Sequence, residues 1–168
     1  MSLSMYRASI PVLVRMLNNL SAILEKGSTH AAAGSIDPAE LVGARLAPDM
    51  LTLAGQIQRA SDSAKGVAAR LAGIENPSFA DDETTFADLQ ERIAKTRRFL
   101  ESVNAEQIDG SAARPIELNL GTKVTLRGDD YLLNFALPNF YFHVTTAYDI
   151  LRHSGVPVGK MDYLGKVE

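Results

Sequence analysis

Four stretches of this sequence place apolar or small residues at alternating gaps of three and four, the spacing that gathers side chains on one face of an α-helix. The first carries Tyr6, Ile10, Leu13, Leu17, Leu20 and Leu24, and the second Met50, Leu53, Ile57, Ala60, Ala64, Val67 and Leu71. The third carries Phe86, Leu89, Ile93, Thr96, Leu100 and Val103, and the fourth Leu133, Ala136, Phe140, Val144, Ala147 and Leu151. One-sided helices must bury that side against each other, so the pattern restricts the chain to an all-α, four-helix bundle. Its 168 residues fit a single domain, 1–168, large enough to form a core without covalent cross-links.

The residues between the stripes set the expected boundaries. Helix one runs from Ser4 to about Lys26, kinked at Pro11 and capped by Gly27. Residues 28–47 form a connector in which Asp37 caps a short helix beginning at Pro38. Helix two runs from Pro48 to Ala72 and stops at Gly73. Thr85 and Asp88 have capping-box spacing and start helix three, which extends to about Asn104. Between Pro115 and Gly128 the period falls to two: Ile116, Leu118 and Leu120, then Val124 and Leu126, flank Gly121-Thr122, which predicts a small β-hairpin before the last helix. Asp129 or Asp130 is expected to cap that helix, and Pro138 to bend it. Gly155 and Pro157 close it, leaving a tail with Val158, Met161, Tyr163 and Leu164 to pack on the surface.

Composition narrows the function classes. There are no cysteines, which excludes disulfides, thiolate nucleophiles and cysteine zinc sites and fits a cytoplasmic setting. A net charge of -3 with scattered Lys and Arg provides no footprint for nucleic acid, and no apolar run is long enough to span a membrane. Met1 to Leu3 read partly as a cloning remnant, and the N-terminus lacks the pattern of a secretion signal. Arg92, Lys95, Arg97 and Arg98 read as a solvated helix face. Gly155-x3-Gly159-Lys160-Met161 is not a P-loop, because the spacing is short and no Ser or Thr follows the lysine.

Chemically interesting side chains concentrate in Pro138–Gly155, PNFYFHVTTAYDILRHSG. Two of the three histidines lie here. The element order and this last helix resemble the DinB-like family of bundles, many members of which hold a metal through one histidine on helix two and an H-x3-H pair on helix four. Leu151-Arg152-His153-Ser154-Gly155 matches the family's leucine-arginine-x-x-glycine ending. That register puts the second histidine of the pair at His143, the first at Asn139, and the helix-two ligand near Gln58, with Gln56 the alternative and Asp62 one turn on. The wording NFYFHVTTAYDILRHSGVPVGKMDYLG is also similar to an uncharacterised bacterial branch of the superfamily, known as a domain of unknown function, for which the three-histidine site is not expected.

Gln58, Asp62, Asn139 and His143 therefore form the candidate pocket. His143 is the one plausible metal ligand in it, for zinc or nickel. The opposing reading is a buried histidine hydrogen-bonded to Asn139, Gln58 or Asp62. His153, about 15 Å along the same helix from His143, cannot share its ion and suits a helix C-terminus. His30 is expected in a surface loop. Phe140, Tyr141, Phe142 and Tyr148 go all round the last helix, which favours a homodimer face over a cofactor box. Two functions follow: a non-enzymatic bundle that binds a small ligand or a second copy of itself, or a divergent metal-dependent enzyme, thiol-transferase-like by fold analogy alone.

Overall fold

Three of the four long helices start where a side chain satisfies their first free N–H groups. The computed structural model describes residues 3–34 and 36–166, so Met1 and Ser2 of the suspected remnant lie outside the described residues. Ser4 caps α1 (Met5–Ala32) and Thr52 caps α3 (Leu53–Ala72). Thr85 caps α4 (Phe86–Glu101) in the expected capping box, with Asp88 N–H donating to Thr85 Oγ1 at 3.1 Å and Thr85 N–H to Asp88 Oδ2 at 2.9 Å. Asp37 and Pro38 begin the short α2 (Pro38–Gly43) as expected.

Several boundaries differ from the sequence reading. Helix α1 runs through Pro11 and does not stop at Gly27, which is buried inside it. A side chain at Gly27 would press on Leu151 Cδ2 and the Phe86 ring, so the glycine permits close packing and does not terminate the helix. His30 consequently lies in the last turn of α1 and not in a loop. Helix α3 begins five residues after Pro48, at the Thr52 cap. Helix α4 ends at Glu101, because Asn104 caps a separate short helix, α5 (Ala105–Ile108). Gly73 does stop α3, in the left-handed conformation at φ 71° that glycine adopts freely.

Helix α3 packs between α4 and α7 (Leu137–His153), and α1 closes the bundle against α4. The expected stripes supply the core, with Leu13, Leu17, Leu20, Leu24, Ile57, Leu89, Phe140 and Leu151 fully buried. Helix α8 (Lys160–Leu164) lies across α1 and α7. Asn19 Nδ2 donates to the Tyr163 carbonyl at 2.9 Å, Lys26 pairs with Asp162 at 2.7 Å, and the Tyr148 and Tyr163 rings meet edge-on. The tail thus covers one side of α7, as expected of Val158 and Tyr163, whereas Met161 and Leu164 stay exposed.

Strands β1 (Pro115–Asn119) and β2 (Lys123–Arg127) form the expected antiparallel hairpin. Pairing of Asn119 with Lys123 makes the loop Leu120-Gly121-Thr122, one residue longer than read, and leaves Leu120 exposed at the tip. Ile116 and Leu118 are buried beneath it. At the hairpin's base Arg114 Nη1 donates to the Leu71 carbonyl at 2.6 Å, which ties the hairpin to the C-terminus of α3.

The last helix starts without a side-chain cap at α6 (Gly128–Asp130); Asp129 and Asp130 lie in its first turn, and Asp129 pairs with Arg127 instead. It then passes through a π-helical segment, Tyr131–Ala136, into α7. Pro138 has no N–H for the carbonyl of Asn134, and the wider π turns just before it accommodate the missing donor. They also shift the register. Leu132, not Leu133, enters the core, and Leu133 is 56% exposed.

Gly128 passes against the backbone carbonyl of Ser111, where any Cβ would collide with that oxygen. Main chain cannot rotate away as a side chain can. Gly128→Ala should therefore lower stability by about 1–3 kcal/mol, read from the urea midpoint.

Candidate functional site

Arg92 of α4, which sequence reading assigned to the solvated face, is the most buried charge in the described structure. Arg92 is 0% exposed, because gaps of three from Leu89 and four to Thr96 place it on the core side of α4. Its guanidinium reaches across to α3 and to the loop between α3 and α4. Nε donates to Ser61 Oγ at 2.8 Å and Nη2 to Asp62 Oδ1 at 2.9 Å. Nη1 donates to the Ala80 carbonyl at 2.8 Å, Glu83 Oε1 at 3.0 Å and Asp81 Oδ1 at 3.1 Å. Glu83 is itself buried. Burial pushes its carboxyl upward, but hydrogen bonds from Gln58 and Arg92 and the charge of Arg92 outweigh this, and its pKa falls below the usual value. Phe79 lies over the same cluster, with Lys95 4.6 Å, Lys65 5.2 Å and Arg92 5.4 Å from its ring centre. By contrast, Arg98 matches the solvated-face reading.

Next to this network, between α3 and the segment 131–139, lies a cavity of about 220 Å³. Helix α3 contributes Arg59, Asp62, Ser63 and Arg70; the facing segment contributes Tyr131, Phe135, Ala136 and Asn139. Spacing explains the convergence. Positions 59, 63, 66 and 70 form a second stripe on α3, and 131, 135 and 139 recur once per turn opposite them. Asn139 Nδ2 donates to Ser63 Oγ at 2.7 Å, and Ser63 Oγ donates to the Arg59 carbonyl at 2.8 Å. Arg70 Nη1 donates to the hydroxyl of the buried Tyr131 at 3.1 Å. Arg59 pairs with Asp62 at 3.2 Å and with Asp81.

The four residues picked from sequence separate. Asp62 and Asn139 line this cavity; Gln58 and His143 do not. Gln58 Nε2 donates to Glu83 Oε2 at 2.9 Å and belongs to the Arg92 network. His143 Nδ1 lies 2.7 Å from Gln56 Oε1, the alternative helix-two position. Gln56 Nε2 donates to the Leu51 carbonyl at 3.3 Å, which turns its oxygen toward the imidazole. His143 therefore carries its proton on Nδ1 and leaves Nε2 unprotonated. Burial, then the nearby charge of Arg59, holds its pKa below the ordinary 6.5. Sequence reading missed Arg59, Ser63, Arg70, Tyr131 and Arg92; the polar stripe on α3 and the Leu89-Arg92-Thr96 spacing are the signals that mark them.

These side chains do not fit the metal that the resemblance implies. Of the three ligand positions only His143 offers a good donor for zinc or nickel, and the amides of Gln58 and Asn139 are weak ligands already bonded within the protein. Among the described residues no group of three or more His, Cys, Asp or Glu is placed to hold an ion. His153 sits in the last turn of α7, where a cation is favourable. No helix is long and apolar enough to cross a membrane among the described residues.

A family described as Domain of unknown function (DUF1993) matches residues 5–164. The crystal structure of a DinB family member protein from Shewanella denitrificans superposes with a TM-score of 0.89 at 40% sequence identity, covering 96% of this chain and 92% of that one. No curated protein matches the sequence.

Removing the Arg92 guanidinium leaves the buried Glu83, and the partly exposed Asp62, with fewer cations. Arg92→Leu should cost about 3–5 kcal/mol, measured by denaturant unfolding. For His143 the folded pKa lies below the unfolded one, so protonation favours the unfolded chain. Its contribution is intact above about pH 6.5 and is lost as pH falls through the folded pKa. The thermal midpoint should thus drop on acidification below about 6.5, and His143→Gln should flatten that part of the profile. An unchanged slope in the variant would assign the drop to other groups.

Proposed function

The chain belongs to the DUF1993 family, and from that premise we propose that it is a non-enzymatic helical bundle that binds a small ligand in the cavity between α3 and residues 131–139. One observation supports this most directly. The two helices between which the resemblance expects a metal converge here, beside that position, on a half-open polar cavity lined by Arg59, Ser63, Arg70, Tyr131 and Asn139. A volume of about 220 Å³ suits a molecule of a few heavy atoms, and Phe135 and Ala136 provide an apolar wall beside the polar groups. The divergent metal-dependent enzyme is the competing function; a single histidine engaged by Gln56 argues against it.

A second reading, association of two copies through α7, is favoured by Phe142, which is 56% exposed beside buried Phe140 and half-buried Tyr141. Tyr148 does not need a second copy for its cover, since Tyr163 provides it within the chain. Light scattering on the eluting protein tests this: a dimer that Phe142→Ser converts to monomer supports it, and a concentration-independent monomer refutes it.

The ligand-binding reading is tested by NMR screening of the isotope-labelled chain against small polar molecules. Binding should shift the amides of Ser63, Arg70, Tyr131 and Asn139, and Ser63→Leu, which fills the cavity, should abolish it. Shifts confined to the far side of the bundle would overturn the assignment. Protein purified without added metal should contain less than about a tenth of an ion per chain by elemental analysis. Stoichiometric metal lost in His143→Ala would establish the enzyme alternative's central requirement.

A further inference from the structure

Within that cavity, the chemistry of one side chain is set by a residue with no side chain. Gly66 lies one helical turn before Arg70, and any Cβ there would collide with Arg70 Nη1. The guanidinium therefore folds back over its own helix at Gly66 and meets Tyr131, to whose hydroxyl it donates at 3.1 Å and over whose ring it lies at 5.7 Å. A surface arginine would extend into water; this one is half-buried and held between a bare stretch of helix and a buried phenol.

Its hydrogen-bonding capacity is largely unspent. A guanidinium has five N–H donors. Among the described residues the Tyr131 hydroxyl is its hydrogen-bond partner, and no carboxylate lies within salt-bridge distance. The other cation in the lining differs: Arg59 is taken up by Asp62 and Asp81. Asp62, the carboxylate in the lining, also holds Arg92 at 2.9 Å and Lys65 at 3.1 Å, so its charge is directed to three cations other than Arg70. Because the Tyr131 oxygen accepts from Arg70, its own proton remains to be donated. Asn139 has a second amide hydrogen beyond the one given to Ser63.

We infer that the cavity recognises a small organic carboxylate, its oxygens on the Arg70 guanidinium and the Tyr131 hydroxyl and its carbon chain against Phe135 and Ala136. The inference rests on the ligand-binding reading above and adds the chemical class. A planar guanidinium matches the two oxygens of a carboxylate, and charge-assisted hydrogen bonds in a partly desolvated site are strong. The apolar wall favours a carboxylate with a short hydrocarbon body over a bare inorganic oxyanion.

The experiment titrates the full chain, at constant ionic strength, with a series from acetate to hexanoate and with benzoate. The matched neutral amides and inorganic phosphate are titrated in parallel. The readouts are the Arg70 side-chain Nε–H signal and the cavity amides by NMR. The expected result is saturable binding of at least one carboxylate, about 10- to 100-fold tighter than its amide and tighter than phosphate. Arg70→Met should remove that preference. Gly66→Ala keeps every donor but displaces the guanidinium, and should remove the preference as well while the thermal midpoint holds or rises, since alanine favours a helix interior. Loss of affinity in Gly66→Ala thus separates displacement of Arg70 from unfolding. Amides binding as well as carboxylates, or phosphate binding tighter than both, would overturn the carboxylate assignment and leave the ligand-binding reading standing. No binding by any member of the series would remove both.

Discussion

The guanidinium of Arg92 holds together three parts of the chain that apolar packing alone would leave free to slide. It binds α3 through Ser61 and Asp62, and the α3–α4 loop through Ala80, Asp81 and Glu83. A leucine stripe is tolerant of small shifts because dispersion and the hydrophobic effect lack direction. Five directed hydrogen bonds from a fully buried cation are not tolerant, since each unmade bond would leave a desolvated group without a partner. The network therefore sets the rotation of α3 about its axis. That rotation points Arg59, Ser63 and Arg70 toward α7 and opens the polar cavity there. Gln58 and Asp62, chosen from sequence as companions of His143, are members of this network instead.

The facing wall depends on a local irregularity. Pro138 removes a helical donor, and the π turns of Tyr131–Ala136 accommodate the loss while moving Leu132 into the core and Leu133 out of it. The same segment brings the Tyr131 hydroxyl to Arg70 and Phe135 to the cavity edge. Irregular backbone at the site and regular backbone elsewhere is a division of labour common to folds that carry ligands on a rigid scaffold. Family membership and the DinB-like neighbour account for the scaffold. The side chains at the positions where the resemblance expects histidines have taken other partners.

Much of this was legible in the residues. The first three stripes, the fourth from Ala136 onward, the capping box at Thr85 and Asp88, the Asp37-Pro38 start, the Gly73 stop and the hairpin each depend on interactions within a few residues, and each is present. Gly27 misled because a glycine near the end of a pattern can mark a cap or a close approach, and only the position of Leu151 and Phe86 distinguishes them. Arg92 misled because arginine is usually solvated. Its spacing from Leu89 placed it on the buried face, but the acids that neutralise it come from other segments. The pairing of His143 with Gln56 turned on a two-residue difference in register between helices, beyond what periodicity can resolve.

The sequence by itself determined which segments are helical and, outside the π-helical turns before Pro138, which face of each is buried, and hence an all-α bundle with a hairpin, because helical periodicity and capping act over a turn or two of chain. Only the tertiary structure decided the partners of the polar groups. Arg92 with Glu83 and Asp62, Arg70 with Tyr131, and Asn139 with Ser63 depend on the axial offset and rotation of helices far apart in the chain. A hydrogen bond fails over a displacement of about an ångström that a hydrophobic stripe absorbs without penalty. The fold could therefore be read locally, whereas the site required the packed helices.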